Sequence, residues 1–308
     1  MTIQQLNYVI ALDRFRNFAR AAEELGITQP TLSAMLVKLE EELGVRIFDR
    51  SNKRVIPTAA GELIIRQAES VDREVERIRE LVMEYKGEVA GNLSLSITPG
   101  IAPYLLPQFI HHYTERYPHV QLRIDELKAD TLLTSLVNGE HDLGICLGAL
   151  SHPGLLEIPL YTEPFWVYLS EQCWRKLPVF KPEQLEHEQM WIMKETQCLR
   201  NSAFSFCKSH SKGRRIYEAG SIDTLVRIVD ANGGFTIIPE MHLSFLTEQQ
   251  RQNVRRIEGD YLSQRRVSLY IREDYVRQQM LRSVVDALLA FLPKTMVEKR
   301  MLNFGVKL

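Results

Sequence analysis

The chain is 308 residues long, with 45% hydrophobic and 25% charged residues, the balance of an ordinary globular protein with room for two or three compact units. Its formal net charge of −1 excludes a chain-wide attraction to a polyanion, so any nucleic-acid surface must be local. No apolar run approaches the ~20 residues of a membrane span, and Asp13, Arg14 and Arg16 interrupt the opening stretch as no signal peptide would. A cytoplasmic protein with no membrane partner is therefore expected.

The first unit spans residues 1–58. Leu6, Val9, Ile10 and Asp13 suit one amphipathic helix, and Phe18, Ala21, Ala22 and Leu25 a second, ended by Gly26. Thr28 is a good N-cap for a third helix, QPTLSAMLVKLEEEL, which tolerates Pro30 in its first turn and is anchored by Leu32, Met35, Leu36 and Leu39. Two short helices around a Gly-Ile turn make a helix-turn-helix candidate. VRIFDR and KRVIPT, extended runs on either side of Ser51 and Asn52, read as a small hairpin, or wing.

Residues 59–90 read as one long helix followed by a hinge at Gly87 and Gly91. Ile64, Ala68, Val71, Val75, Ile78, Val82 and Tyr85 recur at spacings of four and three, with charged residues on the other faces. That narrow seam favours a partner helix, most simply from a second copy.

Residues 91–308 alternate strand-like and helical runs (NLSLSIT, VQLRIDEL, DLGICLG, PFWVYLS, MWIMKE, RRIYEAG, FTIIP, RVSLYIR). The alternation predicts α/β layers with largely parallel sheets, which bind ligands at the C-terminal ends of their strands. The length suits two lobes, residues 91–162 with 268–308 and residues 163–267. Four cysteines, Cys146, Cys173, Cys198 and Cys207, show no CxxC spacing, so no zinc site, no disulfide framework and no cofactor is expected.

The run FARAAEELGITQPTLSAMLVKLEEELGVRIFDRSNKRVIPTAAGE closely resembles the winged helix-turn-helix of LysR-type transcriptional regulators. Pro57 is a minor departure, at a position where the family more often has leucine. The resemblance implies an N-terminal winged helix-turn-helix, a long linker helix and a C-terminal two-lobed, periplasmic-binding-protein-like α/β effector domain. Within the family, PGIAPYLLP (99–107) and CLRNSAFSFC (198–207) are similar to the OxyR branch of peroxide sensors.

A recognition helix enters the major groove by its N-terminal turn. Thr28, Gln29, Pro30, Thr31, Ser33 and Ala34 occupy that turn, where Gln can pair with an adenine edge and Thr or Ala can meet a thymine methyl. Lys38, Arg50, Lys53 and Arg54 would meet phosphates, and the acidic run Glu40 to Glu42 should point away from the DNA. The resemblance also implies a homodimer through the linker helix, a homotetramer, RNA polymerase as a possible further partner, and activation of genes under oxidative stress.

The two cysteines at the branch's spacing imply a redox switch through Cys198 and Cys207. Cys198 reads as lying near a helix N-terminus, where the dipole stabilises a thiolate, with Lys194 and Arg200 adding positive charge. Nine helical steps would part the two by about 13 Å, whereas a disulfide needs Cα atoms within ~7 Å; joining them would melt the intervening segment. Gly100, Ala129, Gln197 and Ile216 fall where peroxide sensors carry threonine and histidine, so the alternative is a metabolite in the inter-lobe cleft, near Gly100, Ile101, Ala102, Ala129, Gln197, Arg200, Gly220 and Ser221. An enzyme with Cys198 as nucleophile is not expected, because nothing places His187, His210 or His242 against it and the N-terminal unit would have no purpose.

Overall fold

The computed structural model describes residues 1–49, 55–85, 89–148, 150–171, 189–193, 214–217, 221–257 and 264–298. They form two compact units, residues 1–88 with 138–140, and residues 89–137 with 141–308.

In the first unit, α1 (Ile3–Phe15) starts in a capping box. The Thr2 hydroxyl accepts from the Gln5 N–H at 3.2 Å, and the Gln5 side chain accepts from the Thr2 N–H at 2.8 Å. Asn17 caps α2 (Phe18–Glu24). The turn to α3 (Gln29–Leu43) uses Gly26 at φ 66°, and α3 stops at Gly44 at φ 68°, left-handed positions that favour glycine. Leu32, Leu36 and Leu39 are at most 1% exposed and pack on Val9, Leu12, Ala21, Ala22, Ile47 and Phe48. Each such leucine contributes roughly 1.5–3 kcal/mol on burial. Met35, expected among these anchors, is 39% exposed. It lies about 60° round the helix from Leu32, at the margin of a narrow buried stripe.

The wing is a two-stranded ribbon, with β1 (Phe48–Asp49) antiparallel to β2 (Ile56–Pro57). Glu40, expected to point away from the DNA, has partners of its own. It turns back into its own unit, where its carboxylate accepts the Ile47 N–H at 2.8 Å and the Phe48 N–H at 3.2 Å and so fixes the first wing strand.

The long helix α4 (Ala59–Tyr85) starts against the same segment. Gly61 packs so closely that an added Cβ would lie 1.9 Å from the Ile47 carbonyl oxygen. Within the predicted seam, Ala68 is buried at 2% exposure and Ile64 half-buried against the first core, with Ile65, outside the seam, buried beside them, in contrast to Ile78 at 63%, Val82 at 54% and Tyr85 at 94%. The predicted seam therefore divides: its first turns belong to the core of their own unit, and its distal turns present bare apolar side chains. Among the described residues, no helix is long and apolar enough to cross a membrane.

The second unit is built on one continuous sheet ordered β4-β3-β5-β11-β6-β9-β7-β8, with β10 (Val254–Arg256) also paired to β6. β3 (Gly91–Ile97) runs parallel to β4 (Val120–Glu126) and to β5 (Leu143–Leu147). β7 (Met190–Met193) runs parallel to β8 (Arg214–Tyr217) and to β9 (Phe235–Pro239). The two crossing strands, β6 (Leu155–Leu169) and β11 (Gln264–Arg272), are antiparallel to all their neighbours, so the sheet is mixed and not largely parallel.

β6 is also far longer than the expected PFWVYLS. Its first part pairs with β11 and its second with β9 and β10, which carries one strand through both lobes. Pro159 and Pro164 break the alternating pattern in the sequence, yet Pro159 sits beside the register shift opposite Val267 and Ser268, where a proline is tolerated. α5 (Ala102–Arg116), α6 (Ala129–Val137) and α9 (Gln278–Leu289) cover the first lobe, whose core includes Leu95, Ile97, Phe109, Ile145, Leu269 and Val284. α7 (Ile222–Asn232), a 3-10 turn (Glu240–Phe245) and the single turn α8 (Glu248–Arg251) belong to the second lobe, cored by Tyr168, Val226, Val229 and Ile238.

Candidate functional site

The exposed opening turn of α3 is set by its cap. Thr28 accepts from the Thr31 N–H at 3.4 Å, and the two threonine hydroxyls share a further hydrogen bond of 2.8 Å. Gln29, Pro30, Thr31, Ala34 and Lys38 are exposed and Ser33 is half-buried, while the opposite face of the same helix is locked into the core. A rigid helix thus presents small polar side chains and one glutamine to solvent, the shape a major groove admits. Arg50, Lys53 and Arg54, expected to meet phosphates, lie outside the described residues.

In the second unit, the crossing strands bring together a buried polar cluster at the lobe junction. Arg265 and Glu163 stand directly opposite in the β6–β11 register. Glu163 is 0% exposed and Arg265 5%, and the guanidinium Nε donates to Glu163 Oε1 at 2.7 Å. Arg265 Nη1 donates to the Gly100 carbonyl at 3.1 Å, and its guanidinium lies 5.6 Å from the centre of the Tyr104 ring. The other Glu163 oxygen accepts the Met241 N–H at 3.0 Å. One ion pair therefore ties the β3–α5 loop of the first lobe to the 3-10 turn of the second.

Tyr104 continues the cluster to His242 Nδ1 at 3.0 Å, and His242 Nε2 stands 3.9 Å from Asp223 near the start of α7. Burial raises the Tyr104 phenol well above its ordinary range and lowers the His242 imidazole, with Asp223 opposing the latter shift. Burial also works against the Arg265 charge, and Glu163 beside it keeps the guanidinium protonated. Thr98 Oγ1, Tyr161 Oη and Arg265 Nη2 are buried without a hydrogen-bond partner among the described residues.

The residues expected to bind an effector are spread unevenly over this region. Gly100 is half-buried with open space where a side chain would be, Ala129 is half-buried at the start of α6, and Ser221 is exposed and caps α7. Ile101 and Ala102 do not line a cleft: they are 0% and 2% exposed and belong to the core of the first lobe. Their side chains pack into that core, while Gly100 in the loop before α5 and Tyr104 within its first turn face the junction. Cys198, Cys207, Gln197, Arg200 and Gly220 lie outside the described residues. Cys146 is fully buried in β5, where burial, with Glu157 adding to it, pushes its thiol up to about 12. Sequence reasoning missed Glu163, Arg265 and Tyr104. For Glu163 and Arg265 the visible signal was charge within two otherwise strand-like runs, TEPFWVYL and QRRVSLYIR; Tyr104 lay within PGIAPYLLP with nothing to mark its partners.

A winged helix-turn-helix carried on the same chain as a two-lobed α/β receiver defines a signal-responsive DNA-binding regulator. Residues 3–62 match the bacterial regulatory helix-turn-helix protein of the lysR family, and residues 86–293 match the LysR substrate binding domain. The chain belongs to the LysR family of bacterial transcriptional regulators, DNA-binding oligomeric proteins and not enzymes.

It is OxyR-like within that family. It is 32% identical to the hydrogen peroxide-inducible genes activator of Haemophilus influenzae over 83% of this chain and 85% of that protein. It is also 32% identical to the DNA-binding transcriptional dual regulator OxyR of Escherichia coli K12, over 82% and 83% of the two chains. A solved structure of a full-length OxyR variant from Pseudomonas aeruginosa matches 97% of this chain and 98% of its own, with a TM-score of 0.73 and 27% identity.

Proposed function

We propose that this protein is a cytoplasmic, oxidant-responsive activator that binds promoter DNA as a dimer of paired α4 helices, and as a tetramer contacts RNA polymerase. The opening turn of α3, from Thr28 through Ala34, reads base edges, and Lys38, Arg50, Lys53 and Arg54 neutralise phosphates. Cys198 is the sensing thiol. Its thiolate attacks a peroxide oxygen, giving a sulfenic acid and releasing hydroxide; the Cys207 thiol then displaces water and forms the disulfide.

The observation that carries the oxidant reading is the CLRNSAFSFC segment in a chain with relatives named as hydrogen peroxide-inducible activators across more than four-fifths of its length. Bare Ile78, Val82 and Tyr85 on α4 support the pairing of two copies.

A second reading, a metabolite at the lobe junction, draws support from the space beside Gly100 and the unpartnered polar atoms of Thr98, Tyr161 and Arg265. Graded peroxide followed by thiol trapping and mass spectrometry separates the two. A Cys198–Cys207 link at low doses, with induction abolished by Cys198→Ser, upholds the oxidant reading. Both thiols staying reduced in a protein that still responds to an inducer in cells would replace it with the metabolite reading.

A further inference from the structure

The corner between α1 and α2 carries Arg14, Arg16 and Arg20 around Phe15. Arg16 is spoken for: its guanidinium pairs with the Asp13 carboxylate at 2.8 Å and its Nε donates to the Asp13 carbonyl at 2.6 Å. Arg14 and Arg20 are different. Their guanidiniums lie 5.5 and 5.8 Å from the centre of the same Phe15 ring, both side chains are exposed, and neither has an ion-pair partner among the described residues.

Like charges gathered at one ring repel, and a phenyl face returns only about 0.5–1 kcal/mol to an exposed cation. The negative end of α1 explains one cation in its last turn, but not why Arg20 reaches in from another helix. Two exposed cations at one aromatic ring, neither with an ion-pair partner among the described residues, make a shelf that suits an anion on top.

The identity of that anion follows from the fold. α2 is the first helix of the helix-turn-helix, the element that crosses the DNA backbone while the second helix enters the groove. We propose that Arg14 and Arg20, levelled by Phe15, form a phosphate clamp that seats the DNA backbone beside α2 and so sets the depth and register of α3. Arg guanidiniums suit this because their planar donors pair with phosphate oxygens while the flat face rests on the ring. The clamp positions the duplex and reads no base. It rests on the reading that α3 enters the major groove, and it supplies phosphate contacts to a first unit whose chain-wide charge offers no general attraction.

The test uses the full-length protein and a fluorescent duplex that the unmodified protein has selected from a random pool, with an unselected duplex for comparison. Affinity is measured by anisotropy from about 50 to 200 mM salt, where each phosphate contact contributes roughly 0.9 to the slope of log K against log salt. Arg14→Gln and Arg20→Gln are each expected to weaken binding about five- to tenfold near 0.1 M salt, equally for both duplexes, and to lower the slope by about 1. Arg14→Lys and Arg20→Lys, which retain the charge, should restore most of the slope, and an unchanged melting temperature shows that the glutamine variants fold. Gln29→Ala should erase discrimination between the duplexes and leave the slope intact. An unchanged slope in both glutamine variants overturns the clamp even where Gln29→Ala behaves as expected. Glutamine variants with reduced slopes, beside a Gln29→Ala variant that still discriminates, would uphold the clamp and remove the groove reading. A protein that binds neither duplex overturns both.

Discussion

Glu163→Gln leaves the Arg265 guanidinium buried at 5% exposure with its countercharge gone. At the 2.7 Å separation of the pair, the gross attraction is roughly 6 kcal/mol for an effective dielectric of about 20, and desolvation of the two ions offsets much of it. The net worth of the intact pair is therefore small, but truncating one partner costs about 3–5 kcal/mol because the other stays buried and unpaired. Arg265→Met should cost a similar amount by stranding Glu163. The double variant Glu163→Leu with Arg265→Met removes both charges and leaves only the Gly100 carbonyl and the Met241 N–H without these partners. It should sit about 1–3 kcal/mol below the original protein, above either single variant. Urea unfolding followed by tryptophan emission reports this, since Trp166 and Trp191 both pack in the second lobe. Single variants that lose less than about 1 kcal/mol, or a double variant whose loss equals the sum of the two, would refute the idea that a buried ion pair latches the lobes.

The remaining predictions concern packing, pH and thiol reactivity. Gly61→Ala must displace the Ile47 backbone, because its new Cβ would meet a carbonyl oxygen at 1.9 Å; a loss of about 1–3 kcal/mol in the first unit is expected by chemical denaturation, and a neutral effect would show that the wing and α4 are not tightly joined. His242 is held below its ordinary pKa by burial, so the unfolded chain binds the proton more readily. Its contribution to stability is complete above the unfolded value of about 6.5 and declines as pH falls from there toward the folded value. His242→Gln should flatten the loss of melting temperature across that acid window. Cys146, with its thiol pushed up to about 12, should resist maleimide in the folded protein and react at once in urea; labelling of the native form would contradict its burial.

Most of the first unit was legible in the sequence because its structure is set by neighbours along the chain. Thr28, Pro30 and Gly44 mark the ends of α3 through local capping, and the leucine spacing marks its buried face. Met35 was misread, and the partners of Glu40 were not visible, for the same reason: whether a marginal position is covered, or a carboxylate turns back to a strand, depends on residues that are not its helical neighbours. The α4 seam was visible as a period, but not the point at which it leaves its own core.

By itself, the sequence determined the helices of the first unit, the exposed opening turn of α3, the α/β character of the second unit and the family, because periodicity, caps and short motifs are properties of adjacent residues. Only the tertiary structure decided that β6 runs through both lobes, that the sheet is mixed, and that Glu163 faces Arg265 across a register linking residues 102 positions apart. Strand register and burial are fixed by the packing of distant segments against one another, and a charge in a strand-like run reveals its partner only once that packing exists.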